Sequence, residues 1–292
     1  MENKKINVLS LFDGMSCGQI ALNRAGIEYE NYFASEIDKY AMQVTMKNYP
    51  DTVQLGSVTE LDGSKLPKID LMIGGSPCQS FSNAGNGGGF DGKSKLFWEY
   101  IRILNEVKPK YFLLENVNMK KEWKNIISEA LNVNPIKINS NLVSAQNRER
   151  WYWTNMPNIQ QPANSYIFIE DILETNFDNK YWLKPIYTEL LLKKVSIENA
   201  TKIACIDVYN KKIKTDRKCP TLTLPHHNSI RLLQNGRIRK LTPIECEKLQ
   251  NVPINYTDCG ISDTHRYTML GNGWTVDVIA HIFSSLKKGE SH

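Results

Sequence analysis

Residues 8–18 read VLSLFDGMSCG: an apolar run, then Asp13 and Gly14, then Gly18 where a helical segment opens. In an α/β sheet this strand-to-helix turn is where nucleotide-like ligands bind, because glycine lets the backbone come close and the helix start offers free N–H groups. The glycine spacing is G-x-x-x-G rather than G-x-G-x-x-G, so a dinucleotide reading is weak, and a turn made of glycines for steric reasons alone stays open. Outward from this stretch, the apolar run of residues 6–12 and similar runs at 31–35, 69–73 and 111–115 read as strands. Between them, residues 17–24 read as a helix ended by Gly26, 39–47 as a second, and 96–107 (LFWEYIRILNEV) as a third that Pro109 stops. Strands alternating with helices predict an α/β domain with a mostly parallel sheet.

The chain has 292 residues, enough for one large domain or one domain with a smaller module. Hydrophobic residues make up 41% and charged residues 23%, the composition of a soluble globular protein. No apolar run approaches the roughly 20 residues that span a bilayer, and MENKKINVLS lacks a signal peptide's apolar core. A cytoplasmic protein with no membrane association is the expectation. Six cysteines, at 17, 78, 205, 219, 246 and 259, form no C-x-x-C pair and no zinc spacing with histidine, so neither disulfide nor metal is expected. Of these thiols only Cys78, in a Pro-Cys turn after a strand, has a context that points to reactivity.

After Trp153 the character changes: prolines at 157, 162 and 185 and aromatics without clear period suggest a loop-rich insertion. The net charge of +5 is concentrated there, since residues 201–240 carry ten Lys or Arg against two Asp, a local +8. Such a run fits either a solvated lysine-rich surface or a face that follows a polyanion. At LTPIECEKLQNV a helical pattern returns, with Thr242 as N-cap, Pro243 in the first turn and Glu245 completing a capping box. A last helix is expected over 276–286. The boundaries read from this pattern are 1–154 for the first domain, 155–236 for the insertion and 237–292 for a segment that returns to the first domain.

Glu36 and Asp38 stand at the end of the second strand, where an acidic residue can accept hydrogen bonds from ribose hydroxyls. Asp13 would repel a pyrophosphate but attract the amino group of S-adenosylmethionine, which tilts the ligand toward that cofactor. Residues 74–92, GGSPCQSFSNAGNGGGFDG, lack the Gly-Lys-Ser/Thr ending of a phosphate loop. Their glycines instead permit large backbone change next to Cys78.

Read together, FDGMSCG, Glu36, GGSPCQSFS, FLLENV, QNRER at 146–150, RKLTPIECEKLQNVP and GNGWTV at 271–276 make the chain resemble the DNA cytosine-5 methyltransferases of bacterial and phage type. The ordered blocks span most of the chain. The Pro-Cys block followed by Glu-Asn-Val and Gln-x-Arg-x-Arg is the specific part. INYTDCGISDTHRYTMLGNGWTVDVI, with LFWEY, looks closer to the mammalian de novo branch than many bacterial modification enzymes do. The resemblance implies a Rossmann-like methyltransferase fold with a seven-stranded, mostly parallel sheet, and a smaller target-recognition region.

It also implies roles. Cys78 would add as thiolate to cytosine C6 so that C5 can take a methyl group. Glu115 would hydrogen-bond N3 and the exocyclic amine, a task for a carboxyl that can carry a proton. Arg148 and Arg150, alternating onto one strand face, would support the catalytic loop and contact the cytosine O2. Phe12, Asp13, Gly14 and Gly18 would line the methionine part of S-adenosylmethionine, Glu36 its ribose and Ile37 one adenine face. Asn272, Trp274 and Val276 would close the site near the methionine tail. Where many relatives have Gly-Asp at the adenine amine, this chain has Gly56-Ser57, so Ser57 takes that place.

A cytosine in duplex DNA must leave the stack to be reached, and Gln79, Ser80 and Ser82 are placed to fill the gap. Lys211, Lys212, Lys214, Arg217 and Lys218 are candidates for phosphates, which position rather than specify. Thr223, His226, His227 and Asn228 are candidates for base edges. A separately encoded restriction endonuclease is a partner if the chain belongs to a restriction–modification pair, and is absent if it is solitary. Two alternatives stay open. The related tRNA-cytosine branch carries Pro-Pro-Cys and a Cys-Phe-Thr block, whereas this chain has Ser76-Pro77-Cys78 and no such block. A catalytically silent accessory subunit is disfavoured by intact Cys78, Glu115 and Arg150.

Overall fold

The opening apolar run forms β1 (Ile6–Leu11), one residue shorter than its sequence suggests, because Phe12 turns into the left-handed region at φ 58°. The computed structural model describes residues 5–77, 95–193, 195, 202–223 and 230–288. Helix α1 (Cys17–Ala25) follows and ends at Gly26, whose left-handed φ of 63° suits a residue without Cβ and lets its N–H bond back to the helix. Then come β2 (Tyr29–Ser35), α2 (Lys39–Asn48) capped by the Asp38 side chain, and the two-residue β3 (Val53–Gln54). Strand β4 (Leu71–Gly74) precedes Ser76 and Pro77. Helix α3 (Leu96–Val107) turns Phe97, Tyr100 and Ile103, three residues apart, into the core. It is followed by β5 (Tyr111–Val117), α4 (Lys121–Leu131), β6 (Ile136–Asn139) and β7 (Glu149–Thr154).

These strands form one seven-stranded sheet in the order β3-β2-β1-β4-β5-β7-β6. Strands β3, β2, β1, β4 and β5 run parallel, and β7 lies antiparallel to β5 with Glu115 opposite Tyr152 and Val117 opposite Arg150. The sheet is thus α/β and mostly parallel, as the alternation predicts. The order reverses between β1 and β4, so the turns after those strands open at the switch point where α/β sheets bind ligands. Leu9, Leu11, Met72, Leu114 and Trp153 meet Phe97, Tyr100 and Ile103 in its buried core.

The chain divides into two compact units. The first comprises Met1–Ile138, Glu149–Gln161 and Val278–His292; the second comprises Asn139–Arg148 and Pro162–Asp277. The second unit is less loop-rich than its sequence suggests. It holds the short helices α5 (Ile169–Ile172) and α6 (Pro185–Leu192) and a sheet of β8 (Ile203–Asp207), β9 (Lys212–Ile213), β10 (Ile230–Gln234) and β11 (Arg237–Arg239), antiparallel in the order β11-β10-β8-β9. These strands have two to five residues each, too short for alternation to stand out against interleaved lysines and arginines. Val195, Ile206, Leu233 and Ile238 form one buried cluster within it.

Helix α7 (Pro243–Leu249) has the expected capping box: Thr242 accepts from the Glu245 N–H, and Glu245 accepts from the Thr242 N–H. Helix α8 (Asp263–Asn272) precedes the Gly-Asn-Gly turn, and α9 (Val276–Lys288) carries the chain back into the first unit from Val278.

Candidate active site

The turn after β1 is built from backbone in sparsely populated geometry: Phe12, Gly14 and Ser16 have φ of 58°, 60° and 63°. For the two non-glycine residues this conformation costs about 1–2 kcal/mol each, so surrounding bonds must hold it. Glu36 supplies several of them. One carboxylate oxygen accepts the Gly14 N–H at 2.8 Å, and the other accepts the N–H groups of Ile37 and Asp38 at 2.7 and 2.8 Å. Asp13 is fixed at both oxygens, Oδ1 accepting from Tyr32 Oη at 2.8 Å and Oδ2 from Ser16 Oγ at 2.7 Å. Burial pushes the Asp13 carboxyl up to about 6, against the opposing pull of the Ser10, Ser16 and Tyr32 hydroxyls, with the Glu36 carboxylate adding to the rise.

A cofactor with a cationic end and a ribose fits these residues. A Cβ placed on Gly14 or Gly56 would meet nothing within 4 Å, although both have positive φ, so the space beside them is open. Ile37 is 76% exposed, an apolar surface at the end of β2. Ser57 Oγ lies 2.8 Å from Thr59 Oγ1 and also accepts the Thr59 N–H at 3.3 Å. Gly18 differs from the other glycines: a Cβ there would lie 2.5 Å from Ile73 Cδ1 and 2.6 Å from Tyr32 Oη. The space its missing side chain leaves is filled by protein.

The second cluster stands on β5. Glu115 is buried, with its Oε1 2.9 Å from Arg150 Nε on the neighbouring β7. Arg150 also donates from Nη1 to the Glu149 carbonyl at 2.8 Å. Beside Glu115, the buried Asn116 donates from Nδ2 to Ser76 Oγ at 3.1 Å and to the Ser76 carbonyl at 3.3 Å. Ser76 is thereby tied to the strand that carries Glu115. Cys78, Gln79, Ser80, Ser82, His226, His227 and Asn228 lie outside the described residues.

Arg148 departs from the expectation of a face shared with Arg150. Strand β7 begins at Glu149, and the Arg148 guanidinium belongs to the second unit. There it donates to the carbonyls of Leu222, Gly271 and Gly273 at 3.0, 3.1 and 3.0 Å. Gln250 reinforces the same turn, donating to the Leu270 and Gly273 carbonyls and accepting from Thr275. Of the three residues expected near the methionine tail, Asn272 is exposed, Trp274 half-buried and Val276 fully buried, its N–H on the Gln250 carbonyl.

The basic run also divides. Lys211 and Lys212 are exposed and Lys214 half-buried. Arg217 is exposed but pairs with Glu170 at 3.0 Å and stacks over Phe168 at 4.2 Å. Lys218 is a correction to the phosphate expectation: it is buried, and its ammonium donates to the carbonyls of Asn141, Ser144 and Ile167. Burial pulls its pKa below the usual lysine value. Sequence reasoning missed Asn116, although it stands in the quoted Glu-Asn-Val, and Tyr32, which opens the continuously buried YFAS end of the strand.

The model of the C-5 cytosine-specific DNA methylase family matches residues 6–288. Among curated proteins, the type II methyltransferase M.NlaX of Neisseria lactamica is 30% identical over 300 residues, 96% of this chain and 96% of its own length. The orphan methyltransferase M.SPRI of Bacillus phage SPR is 32% identical over 242 residues, 66% of this chain. The chain spans 55% of that phage protein and 32% of the orphan methyltransferase M.Rho11sI of Bacillus phage rho11s. Among solved structures, the Entamoeba histolytica methyltransferase EhMeth aligns with a TM-score of 0.73 at 21% identity, covering 99% of this chain and 100% of that one. The S. pombe Dnmt2 methyltransferase aligns at 0.70 and 19%, with the same coverage. With the family model matched over residues 6–288 and a full-length relative 30% identical, the chain belongs to the C-5 cytosine-specific DNA methylase family.

Proposed function

We propose that this chain methylates C5 of a cytosine in duplex DNA through a transient covalent bond between Cys78 and C6. The observation that carries the reading is the Glu115–Arg150 pair on β5 and β7, next to Asn116, which ties β5 to Ser76, two residues before Cys78 in the sequence. S-adenosylmethionine, when bound, supplies an electrophilic methyl group. The Cys78 thiolate would add to C6 and push electron density to C5, which would take that methyl group as its bond to sulfur breaks and S-adenosylhomocysteine leaves. The C5 proton is then lost to water, the C5–C6 double bond re-forms and the thiolate leaves. Glu115, held by Arg150, hydrogen-bonds the N3 edge of the cytosine and offsets charge as the thiolate adds. Arg148 acts at a distance, by fixing the Gly-Asn-Gly turn.

Phe12, Asp13, Gly14, Glu36, Ile37 and Ser57 would hold S-adenosylmethionine, its ammonium toward Asp13 and its ribose toward Glu36. Asn272, Trp274 and Val276 belong to the turn and helix start assigned to the methionine tail, Val276 as packing. The base leaves the duplex at a cost of a few kcal/mol, and Gln79, Ser80 or Ser82 fills its place. Lys211, Lys212 and Lys214 bind phosphates, while Arg217 and Lys218 serve the protein's own fold. Residues 155–236 act as the target-recognition region, and of the following segment, 237–292, the part from Val278 returns to the first unit. No helix among the described residues is long and apolar enough to cross a membrane. The bacterial and phage relatives support work in the cytoplasm of a bacterial or phage-infected cell. Relatives named as type II methyltransferases motivate a search for a cognate restriction endonuclease.

The deciding experiment incubates the full chain and Cys78→Ala with labelled S-adenosylmethionine and either duplex DNA or tRNA, then maps methylated cytosines. Label in 5-methylcytosine of DNA, lost in Cys78→Ala, is expected. Transfer to tRNA alone, or equal transfer by Cys78→Ala, would overturn the reading.

A further inference from the structure

Packing alone would be met by phenylalanine at position 32. The ring is 2% exposed between β2 and the start of α1, yet it carries a hydroxyl that reaches Asp13 Oδ1 at 2.8 Å. That reach requires Gly18, since any Cβ there would stand 2.6 Å from the same hydroxyl. The other Asp13 oxygen is served by Ser16. Gln19 Nε2 donates to Ser16 Oγ at 2.8 Å and to Thr52 Oγ1 at 2.8 Å, while Gln19 Oε1 accepts from Tyr29 Oη at 2.8 Å. Ser16 Oγ, while accepting from Gln19, donates its own proton to Asp13 Oδ2. Both Asp13 oxygens are therefore acceptors of hydroxyl protons, an arrangement that suits the ionised carboxylate.

We infer that Tyr32 is a positioning residue for the cofactor, holding Asp13 ionised and oriented toward the cofactor's ammonium, with Gly18 as the gap that lets its hydroxyl through. The inference rests on the reading that Asp13 receives that ammonium. Burial pushes Asp13 up to about 6, close enough to neutrality that losing one donor matters. The groups acting on Asp13 are Ser10 from β1, Tyr32 from β2, Glu36 just after β2, and Ser16 from the turn into α1. Across the turn, α2 brings Thr45, which touches the Gly14 carbonyl, and the capping Asp38. Burial drives the Tyr32 phenol well above its ordinary value, so it stays a neutral donor. Glu36 raises Asp13 and cannot substitute for the lost donor.

The test is calorimetric binding of S-adenosylhomocysteine to the full chain from pH 5.5 to 8.5. 5′-Methylthioadenosine, which lacks the amino-acid end, runs in parallel. The wild type should lose S-adenosylhomocysteine affinity with a midpoint near pH 6, while 5′-methylthioadenosine affinity stays flat. Tyr32→Phe should raise the midpoint by about one pH unit, leaving affinity roughly twofold to threefold weaker between pH 6.5 and 7. 3-Fluorotyrosine at position 32 keeps the ring, strengthens the donor and should lower the midpoint. A flat wild-type profile would overturn the reading of Asp13 itself. A normal wild-type profile that neither substitution moves would overturn the role of Tyr32 and leave the Asp13 reading intact.

Discussion

The two units use charge in opposite ways. At the strand ends of the first, Asp13, Glu36, Glu115 and Arg150 are gathered where the sheet opens, and Asp13 stays ionised at neutral pH only against the pull of burial. In the second, Arg239 and Glu245 are fully buried and pair twice, at 2.7 and 2.6 Å. Glu247 accepts from Arg266, Thr257 and Asn255, and Lys218 and Arg148 donate to backbone carbonyls. With short strands joined by long connecting segments, the second unit uses long polar side chains to satisfy loop backbone that has no ladder partner. A charged residue there is commonly part of the frame. A charged residue at the strand ends of the first unit has chemistry to spare.

The strongest way to break this contrast is at β5. Glu115→Gln should lower methyl transfer by on the order of 10²–10⁴-fold in single-turnover assays while changing the melting temperature little. A large loss of stability with activity per folded molecule preserved would make Glu115 a framework residue like those of the second unit. The converse test is Glu245→Ala, which strands Arg239 without a carboxylate in a fully buried site. Urea unfolding should register a loss of about 3–5 kcal/mol. Replacing Arg239 and Glu245 together by apolar residues of similar volume should recover part of it.

The same contrast marks what the sequence discloses. Strands β1, β2, β4 and β5 and helices α1 to α3 are legible because apolar runs and helical spacing are punctuated by glycine, proline and capping residues such as Asp38. The Thr242–Glu245 box is legible for the same reason: it is local. Strands β8 to β11 are not, since two to five residues cannot display a period and their pairing is set by partners far along the chain. Lys218 and Lys212 look alike in a charge count. What separates them is three carbonyls from residues 141, 144 and 167, which any residue type could supply. Arg148 and Arg150 stand two apart in one motif, and only folded geometry distinguishes an arginine on carbonyls from one on a carboxylate.

A smaller effect sharpens the division within the basic run. Neutralising Lys211, Lys212 and Lys214 together should reduce the slope of log affinity for duplex DNA against log salt by up to about 2.7, from three phosphate contacts. Lys218→Met should leave that slope unchanged and lower the melting temperature instead. An equal change of slope in both variants would mean that buried and exposed lysines are not the distinct classes drawn above.

The smallest effect concerns stability of the free protein, and its sign is the informative part. Asp13 has an ordinary value of 3.8 and is raised to about 6 in the fold, so between those values the native state holds a proton that the unfolded chain has released. Stability through this group is therefore greatest below the lower value, declines as pH rises through the interval and stays reduced above the upper one. Moving from pH 7 to pH 5 should stabilise the free protein through Asp13 by less than about 1 kcal/mol, a figure reduced because the residue is only half-buried. Asp13→Asn, compared with wild type by urea unfolding at both values, isolates that contribution from other carboxyl groups. Saturating S-adenosylhomocysteine should reverse the sign, because an ammonium beside Asp13 favours the ionised form and its binding weakens in acid. A destabilised free carboxylate that gains stability only with its ligand is what separates this turn from Arg239 and Glu245, whose charges are satisfied by the fold alone.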